Sequence, residues 1–233
     1  MKLLSFVLVI LIFGCNTETA ANRNTAAAAN RNQPLTHILP APQTDGNMSV
    51  EKALANRRSR RNFQDKPLTK EQLSQILWAA YGITEQNRGL RTTPSAGAIF
   101  PLEIYVAVGN VAGIEAGLYR YIPRGHKIVR TIDKDIRNEL NEATIGRRMV
   151  NVAPITIIYT AIFENITRKY GGRGIQYAYM EAGHSAQNVY LQAEALGLGT
   201  CAIGAFGEDA VSAVLKTPRE KTPIYLLPIG FFD

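Results

Sequence analysis

The sequence predicts an α+β domain. Strand-like runs and helix-like segments are interspersed without regular β-α-β alternation. Two of the strand runs, Gly117 to Tyr121 and Lys127 to Thr131, flank the turn residues Pro123-Arg124-Gly125 and read as a hairpin. The dinucleotide fingerprint G-x-G-x-x-G and the phosphate loop G-x-x-x-x-G-K-[ST] are both absent, which disfavours a doubly wound nucleotide-binding sheet.

The elements can be placed in order. Ser49 can cap a short helix reaching about Arg58, with Glu51 in its electropositive first turn. Thr69-x-x-Gln72 after Pro67 is a capping box. Leu73, Ile76, Leu77 and Ala80 then recur on one helical face, and Gly82 can end the helix. Glu85 to Ala98 is polar and glycine-bearing and reads as a long loop. Leu102 to Val108 and Ile155 to Ala161 read as buried strands, and Asp133 to Thr144 as a helix. Ile175 to Leu196 is a long helix rich in alanine and glycine. Thr200 to Phe206 is a short strand or loop, Glu208 to Leu215 a helix and Ile224 to Phe231 the last strand.

The first 46 residues stand apart. Lys2 supplies a positive charge, and Leu3 to Phe13 form an apolar run too short to span a bilayer comfortably. Ile12-Phe13-Gly14-Cys15 follows and resembles a bacterial lipoprotein signal. It implies removal of residues 1–14 and lipid on Cys15, which would anchor the protein to a membrane of the cell envelope. Residues 15–46 are rich in Asn, Ala, Thr and Pro and read as a flexible tether. Residues 47–233 remain for one domain. Besides Cys15 the chain has only Cys201, expected to be buried and inert. No Cys/His cluster has metal-ligand spacing. The net charge of +7 leans on residues 57 to 61, and an exported chain without a nucleic-acid recognition motif points to anionic headgroups or an anionic cofactor.

Two segments carry the chemistry. Arg57-Arg58-Ser59-Arg60-Arg61 gathers guanidinium groups and a hydroxyl at a helix end. This arrangement suits bidentate contacts to a phosphate, or else a solvated basic face. Pro94-Ser95-Ala96-Gly97-Ala98 offers backbone N–H groups without bulk.

Five motifs then occur in order: R-R-S-x-R-x-F, P-S-A-G-A-x-x-P-L-E-I-Y-V, R-K-Y-x-x-R, E-A-G-H-S-A-Q-N and G-L-G-T-C-A-I-G-A-F. Together, from about Ser49 to the C-terminus, they resemble the nitroreductase superfamily, and within it the SagB/ThcOx-type dehydrogenases. The resemblance implies a mostly antiparallel central sheet flanked by helices, in an intertwined homodimer that binds FMN between its subunits. Arg57 and Arg58 would hold the phosphate, Ser59 the phosphate or ribityl chain, and Arg61 the pyrimidine edge. Pro94, Ser95, Ala96, Gly97 and Ala98 would line the ring from the other subunit, with Ile203, Gly204 and Ala205 along its opposite side. Two features depart from the family pattern. Phe231-Phe232-Asp233 has no counterpart of a basic residue that often grips the phosphate, and Ala98 stands where many relatives have Asn.

Lys169-Tyr170 resembles the Lys-Tyr pair of azoline-oxidising relatives and is the candidate catalytic pair, with surface charge on a loop as the competing reading. Arg173 could meet a substrate carboxylate. His184 reads as a hydrogen-bonded interior or interface residue, and Trp78, Tyr177 and Tyr179 as packing residues. The functional expectation is an FMN-dependent oxidoreductase of SagB type, lipid-anchored outside the cytoplasmic membrane and acting on a small organic substrate. The alternatives are a nicotinamide-dependent nitro- or quinone reductase, a non-catalytic flavin-binding lipoprotein and an anionic-lipid-binding lipoprotein.

Overall fold

The computed structural model describes residues 34–145 and 148–233. The signal segment, Cys15 and the tether as far as residue 33 lie outside the described residues.

The order along the chain is β1 (Thr36–Ile38), α1 (Val50–Asn56), α2 (Lys70–Tyr81), β2 (Ile83–Glu85), β3 (Leu90–Arg91), a 3-10 turn (Ala96–Ala98), β4 (Leu102–Val108), β5 (Gly117–Ile122) and β6 (Lys127–Ile132). Then come α3 (Arg137–Ala143), α4 (Met149–Val152), β7 (Ile155–Ala161), α5 (Phe163–Tyr170), α6 (Arg173–Ala195), β8 (Gly199–Thr200), α7 (Glu208–Leu215) and β9 (Thr222–Gly230). Seven strands form one sheet in the order β1-β6-β5-β4-β7-β9-β8, and every neighbouring pair is antiparallel. This is the α+β, helix-flanked antiparallel sheet that the sequence predicts.

Both faces of the sheet are covered. Leu102, Ile104, Val106 and Val108 of β4 join the core beneath α2, α5 and α6, while Tyr105 and Ala107 join the opposite core with Leu140, Val150, Val211 and Leu215 from α3, α4 and α7. Burial on both faces makes β4 and β7 continuous apolar runs rather than alternating ones. The capping box of α2 is present: Gln72 N–H donates to Thr69 Oγ1 (3.2 Å), and Thr69 N–H to Gln72 Oε1 (3.0 Å). Its apolar stripe, Leu73, Ile76, Leu77 and Ala80, is wholly buried. Each of the three large side chains contributes about 2 kcal/mol of transfer free energy.

Two departures from the sequence reading bear on the site. The fold begins earlier than the composition suggests. From Leu35 onward the chain is tied down by β1 on β6, by buried Leu39, and by the Ser74 hydroxyl, which lies 2.6 Å from Pro40 O. A three-residue strand in a polar stretch has too short a pattern to read. The second departure is α5, which has no counterpart in the sequence reading. Its eight residues bury only Ile166, so the helical signal rests on one side chain.

Candidate active site

Helix α6 organises the site. Its buried residues besides Glu181 are Gly174, Ala178, Ala182, Ser185, Ala186, Val189 and Ala193, mostly small side chains that let the helix pack closely on its neighbours, Gly174 against α5. Its other faces hold the segments singled out in the sequence.

At the C-terminal half of α6, the Tyr190 hydroxyl accepts the N–H of Ala202 (2.8 Å) and lies 3.2 Å from Ser59 Oγ. Arg60 N–H donates to Thr200 O (2.9 Å), which joins the strand-like stretch at Ser59 to Thr200. The arginine segment and the Cys201–Ala205 segment are therefore one hydrogen-bonded unit, although far apart in sequence. Gly199 is required by this contact, because a Cβ there would lie 2.6 Å from Arg60 Cβ. Beyond it, Ile203 exchanges backbone hydrogen bonds with Leu226, while Gly204 and Ala205 are exposed. Cys201 is buried, as expected.

The arginines divide the work. The Arg57 guanidinium lies over the Tyr190 ring at 5.4 Å. Arg58 turns back to donate to Ala55 O (3.0 Å) and Arg57 O (2.8 Å), where the carbonyl end of α1 favours a cation. Arg61 donates to Ser59 O (3.3 Å). Arg60 stacks on Phe232 (4.3 Å), and its buried Nε has no partner. Among the described residues none of the four makes an ion pair. An uncompensated cluster of this kind fits an anionic group such as a phosphate. The C-terminal Phe231-Phe232-Asp233 braces the segment, with Gln64 N–H donating to Phe231 O (2.9 Å) and the Lys66 ammonium over the Phe231 ring (3.9 Å).

At the N-terminal half of α6 lies the Pro94–Ala98 turn. Ser95 Oγ accepts the N–H of Phe100 (2.9 Å), and Gly97 adopts φ 62°. Ala98 and Phe100 also have positive φ, 52° and 53°, a rare strain for residues with a Cβ and one that gathers at functional sites. Asn188 fixes the approach to the turn by donating to Thr92 O (3.1 Å). Lys169 and Tyr170, at the end of α5, meet this turn. A Cβ on Gly97 would lie 2.7 Å from both Lys169 Nζ and Tyr170 Oη. Pro94, Ser95 and Ala96 face a pocket of about 250 Å³ shared with Tyr177, Met180, Glu181 and His184. His184 is exposed here rather than interior.

The two groups contact different stretches of α6. The arginine unit sits at Tyr190 and the turn at Tyr177–His184, about 10–20 Å apart along the helix at its usual rise.

One feature of the site escapes sequence reasoning. Glu181 is 2% exposed, accepts a hydrogen bond from the Tyr81 hydroxyl, and leaves its Oε2 unpartnered. Burial pushes its carboxyl above the ordinary range, opposed by the Ser95 and Tyr81 hydroxyls and by the Arg91 charge. Burial and the Glu181 charge raise the Tyr81 phenol well above its usual value. The signal was present in the sequence as an acidic residue inside the apolar stripe of a helix.

Comparison with known proteins places this geometry. The nitroreductase family model matches residues 54–231. The chain belongs to the nitroreductase family. A Methanocaldococcus jannaschii protein provisionally named a nitroreductase is 48% identical over 183 residues, 78% of this chain and 91% of that one. The trifolitoxin-processing protein TfxB of Rhizobium leguminosarum bv. trifolii is 33% identical over 130 residues, 54% of this chain and 35% of its own. A provisionally named nitroreductase from Ralstonia eutropha, solved by crystallography, superposes with a TM-score of 0.76 at 28% identity, covering 86% of this chain and 94% of that one. The chain is thus a nitroreductase-family oxidoreductase with the fold of that family.

Glu181 provides a test of the buried site. A raised carboxyl pKa contributes stability that is complete below the ordinary value of 4.5 and is lost as pH rises through the folded-state value. Urea unfolding of the wild type and of Glu181→Gln across pH should show wild-type stability falling, relative to the variant, as pH rises above 4.5. Parallel pH profiles would remove the assignment.

Proposed function

We propose that this chain is an FMN-dependent oxidoreductase of SagB type, a homodimer that removes hydride from a small organic substrate. The observation that carries the reading is the Tyr190 hydroxyl between Ser59 and Ala202, which joins an anion-seeking arginine segment to the Ile203-Gly204-Ala205 stretch, exposed at Gly204 and Ala205. Arg57, Arg58 and Ser59 would hold the phosphate end, Arg61 the pyrimidine edge, and Ile203, Gly204 and Ala205 one side of the ring. Pro94, Ser95, Ala96, Gly97 and Ala98 would reach the ring from the other subunit. Supporting this, the two groups lie apart on α6 within one chain, and Val50 and Leu54 of α1 and Ile175, Tyr179 and Met180 of α6 leave large apolar side chains exposed. When bound, the flavin supplies a two-electron acceptor for hydride.

The dehydrogenase direction is favoured by the position of Lys169 and Tyr170. Both side chains reach the Gly97 turn, and the Lys169 ammonium lies 5.3 Å from the Tyr170 ring centroid. A substrate that loses hydride must also shed a proton; the Lys169 amine, in its unprotonated form, could receive it at this turn, with the Tyr170 hydroxyl beside it as a relay. A nicotinamide-dependent nitroreductase is the second reading, favoured by the name of the M. jannaschii relative.

We further propose that Cys15 carries lipid and holds the domain in the cell envelope. Cys15→Ser should release the protein from the membrane fraction and abolish labelling with a fatty-acid analogue. Labelling that persists would remove the anchor.

Replacing both Arg57 and Arg58 with Gln should strip FMN during purification, while circular dichroism stays native. Unchanged flavin absorbance would overturn the phosphate assignment. Tyr170→Phe and Lys169→Met should retain FMN but slow anaerobic flavin reduction by a dehydrogenase substrate by about 10²–10⁴-fold. Rapid bleaching of the wild type by NADPH, unaffected by either change, would support the nitroreductase reading instead.

A further inference from the structure

A second pocket, of about 250 Å³, lies between β3, β4, β5 and the start of α5, and nothing above uses it. Arg91, Phe100, Glu103, Arg120, Tyr121 and Asn165 are among its walls. Its centre is Arg91. The guanidinium lies against two rings, 4.0 Å from the Tyr81 centroid and 4.5 Å from that of Phe100, which themselves meet edge to face. Contact with both rings restricts where the group can swing and supplies its N–H edges with no oxygen acceptor. Among the described residues the Arg91 side chain makes no hydrogen bond and no ion pair within 4 Å, although it feels the buried Glu181 charge, and its Nε is buried without a partner. The carboxylate on the same wall is already engaged, since Glu103 is held by Lys221 at 2.9 Å and by Arg120 at 3.6 Å. The pocket thus presents a preoriented, unpaired fork donor and a second cation at its rim.

We propose that this pocket binds a carboxylate, with Arg91 as its bidentate donor. A planar fork matches a planar carboxylate, and a half-buried position strengthens the pairing relative to water. The volume falls just short of drug-sized sites, so the ligand is a small organic acid or one acidic end of a larger molecule. The placement suggests which. Asn165 on the pocket wall and Lys169 at the Gly97 turn are four residues apart on α5, on one face and about 6 Å along its axis. A substrate with its carboxylate on Arg91 would extend toward Lys169 and Tyr170. That last step rests on the oxidoreductase reading, whereas the carboxylate site itself does not.

Calorimetric titration of the full chain with benzoate, and with benzamide as the uncharged control, tests the site. Flavin-free and flavin-loaded protein should both be titrated. Benzoate should bind in both forms and benzamide in neither. Arg91→Gln should weaken benzoate at least tenfold, and Asn165→Trp, at an exposed helical position, should occlude the pocket and do the same. If Arg91→Gln fails to fold, the Asn165→Trp titration decides. Absence of saturable benzoate binding to the wild type, or equal binding to folded variants, would overturn the proposal. A protein that binds benzoate but retains no flavin would leave the carboxylate site standing and remove the FMN-dependent SagB-type reading.

Discussion

The close packing of α6 on its neighbours is the constraint from which the site follows. Ala178, Ala182, Ala186 and Ala193 are all but inaccessible, so the helix seats on α2, α5 and the β8–β9 edge through small side chains. A helix seated this way is a rigid rod, and its remaining positions become fixed points. Glu181 and Ser185 point into the core, where the Ser185 hydroxyl reaches Ala80 O and the Tyr159 hydroxyl. Asn188 and Tyr190 point sideways and bind loops that have little apolar surface of their own. A larger residue at any of the alanines would displace all of these anchors together.

The charges are arranged as two unlike problems. At the α1 end, cations stand close together at the surface without acidic partners, where solvent limits the repulsion. Near the Pro94–Ala98 turn, half-buried Arg91 and buried Glu181 feel each other's charge without a direct ion pair. Arg91 is held by aromatic faces, and Glu181 is pushed toward its neutral form. Neither arrangement is a good choice for stability alone, since ion pairing would have been available in both places. Positions that forgo it are where ligands are expected to complete the electrostatics.

Much of the architecture is legible in the sequence because the relevant signals are local. The capping box at Thr69, the apolar runs at 102–108 and 155–161 and the helix at 208–215 each encode their own structure. The missed elements lack such signals. The β2–β3 pair is two very short strands, and α5 buries one residue. For the site, the arginine run and the small-residue turn are visible as composition. Their surroundings are not. That Tyr190 ties Ser59 to Ala202, that Gly97 lies under Lys169, and that Arg91 lies against both Tyr81 and Phe100 are all contacts between distant segments, and no spacing rule encodes them.

The separation of the two groups along α6 has a physical consequence for how the site can be completed. A rod of fixed length with an anion-seeking unit near one end and a strained turn with a proton-relaying pair near the other cannot fold on itself to join them. In the proposed homodimer a second rod set antiparallel to the first would join them, each end facing the opposite end of its neighbour. A two-fold pair of this kind makes two identical sites, each with arginines from one chain and a turn from the other. The exposed apolar residues of α1 and α6 lie on the elements such a pairing would cover, and their burial would supply its driving force.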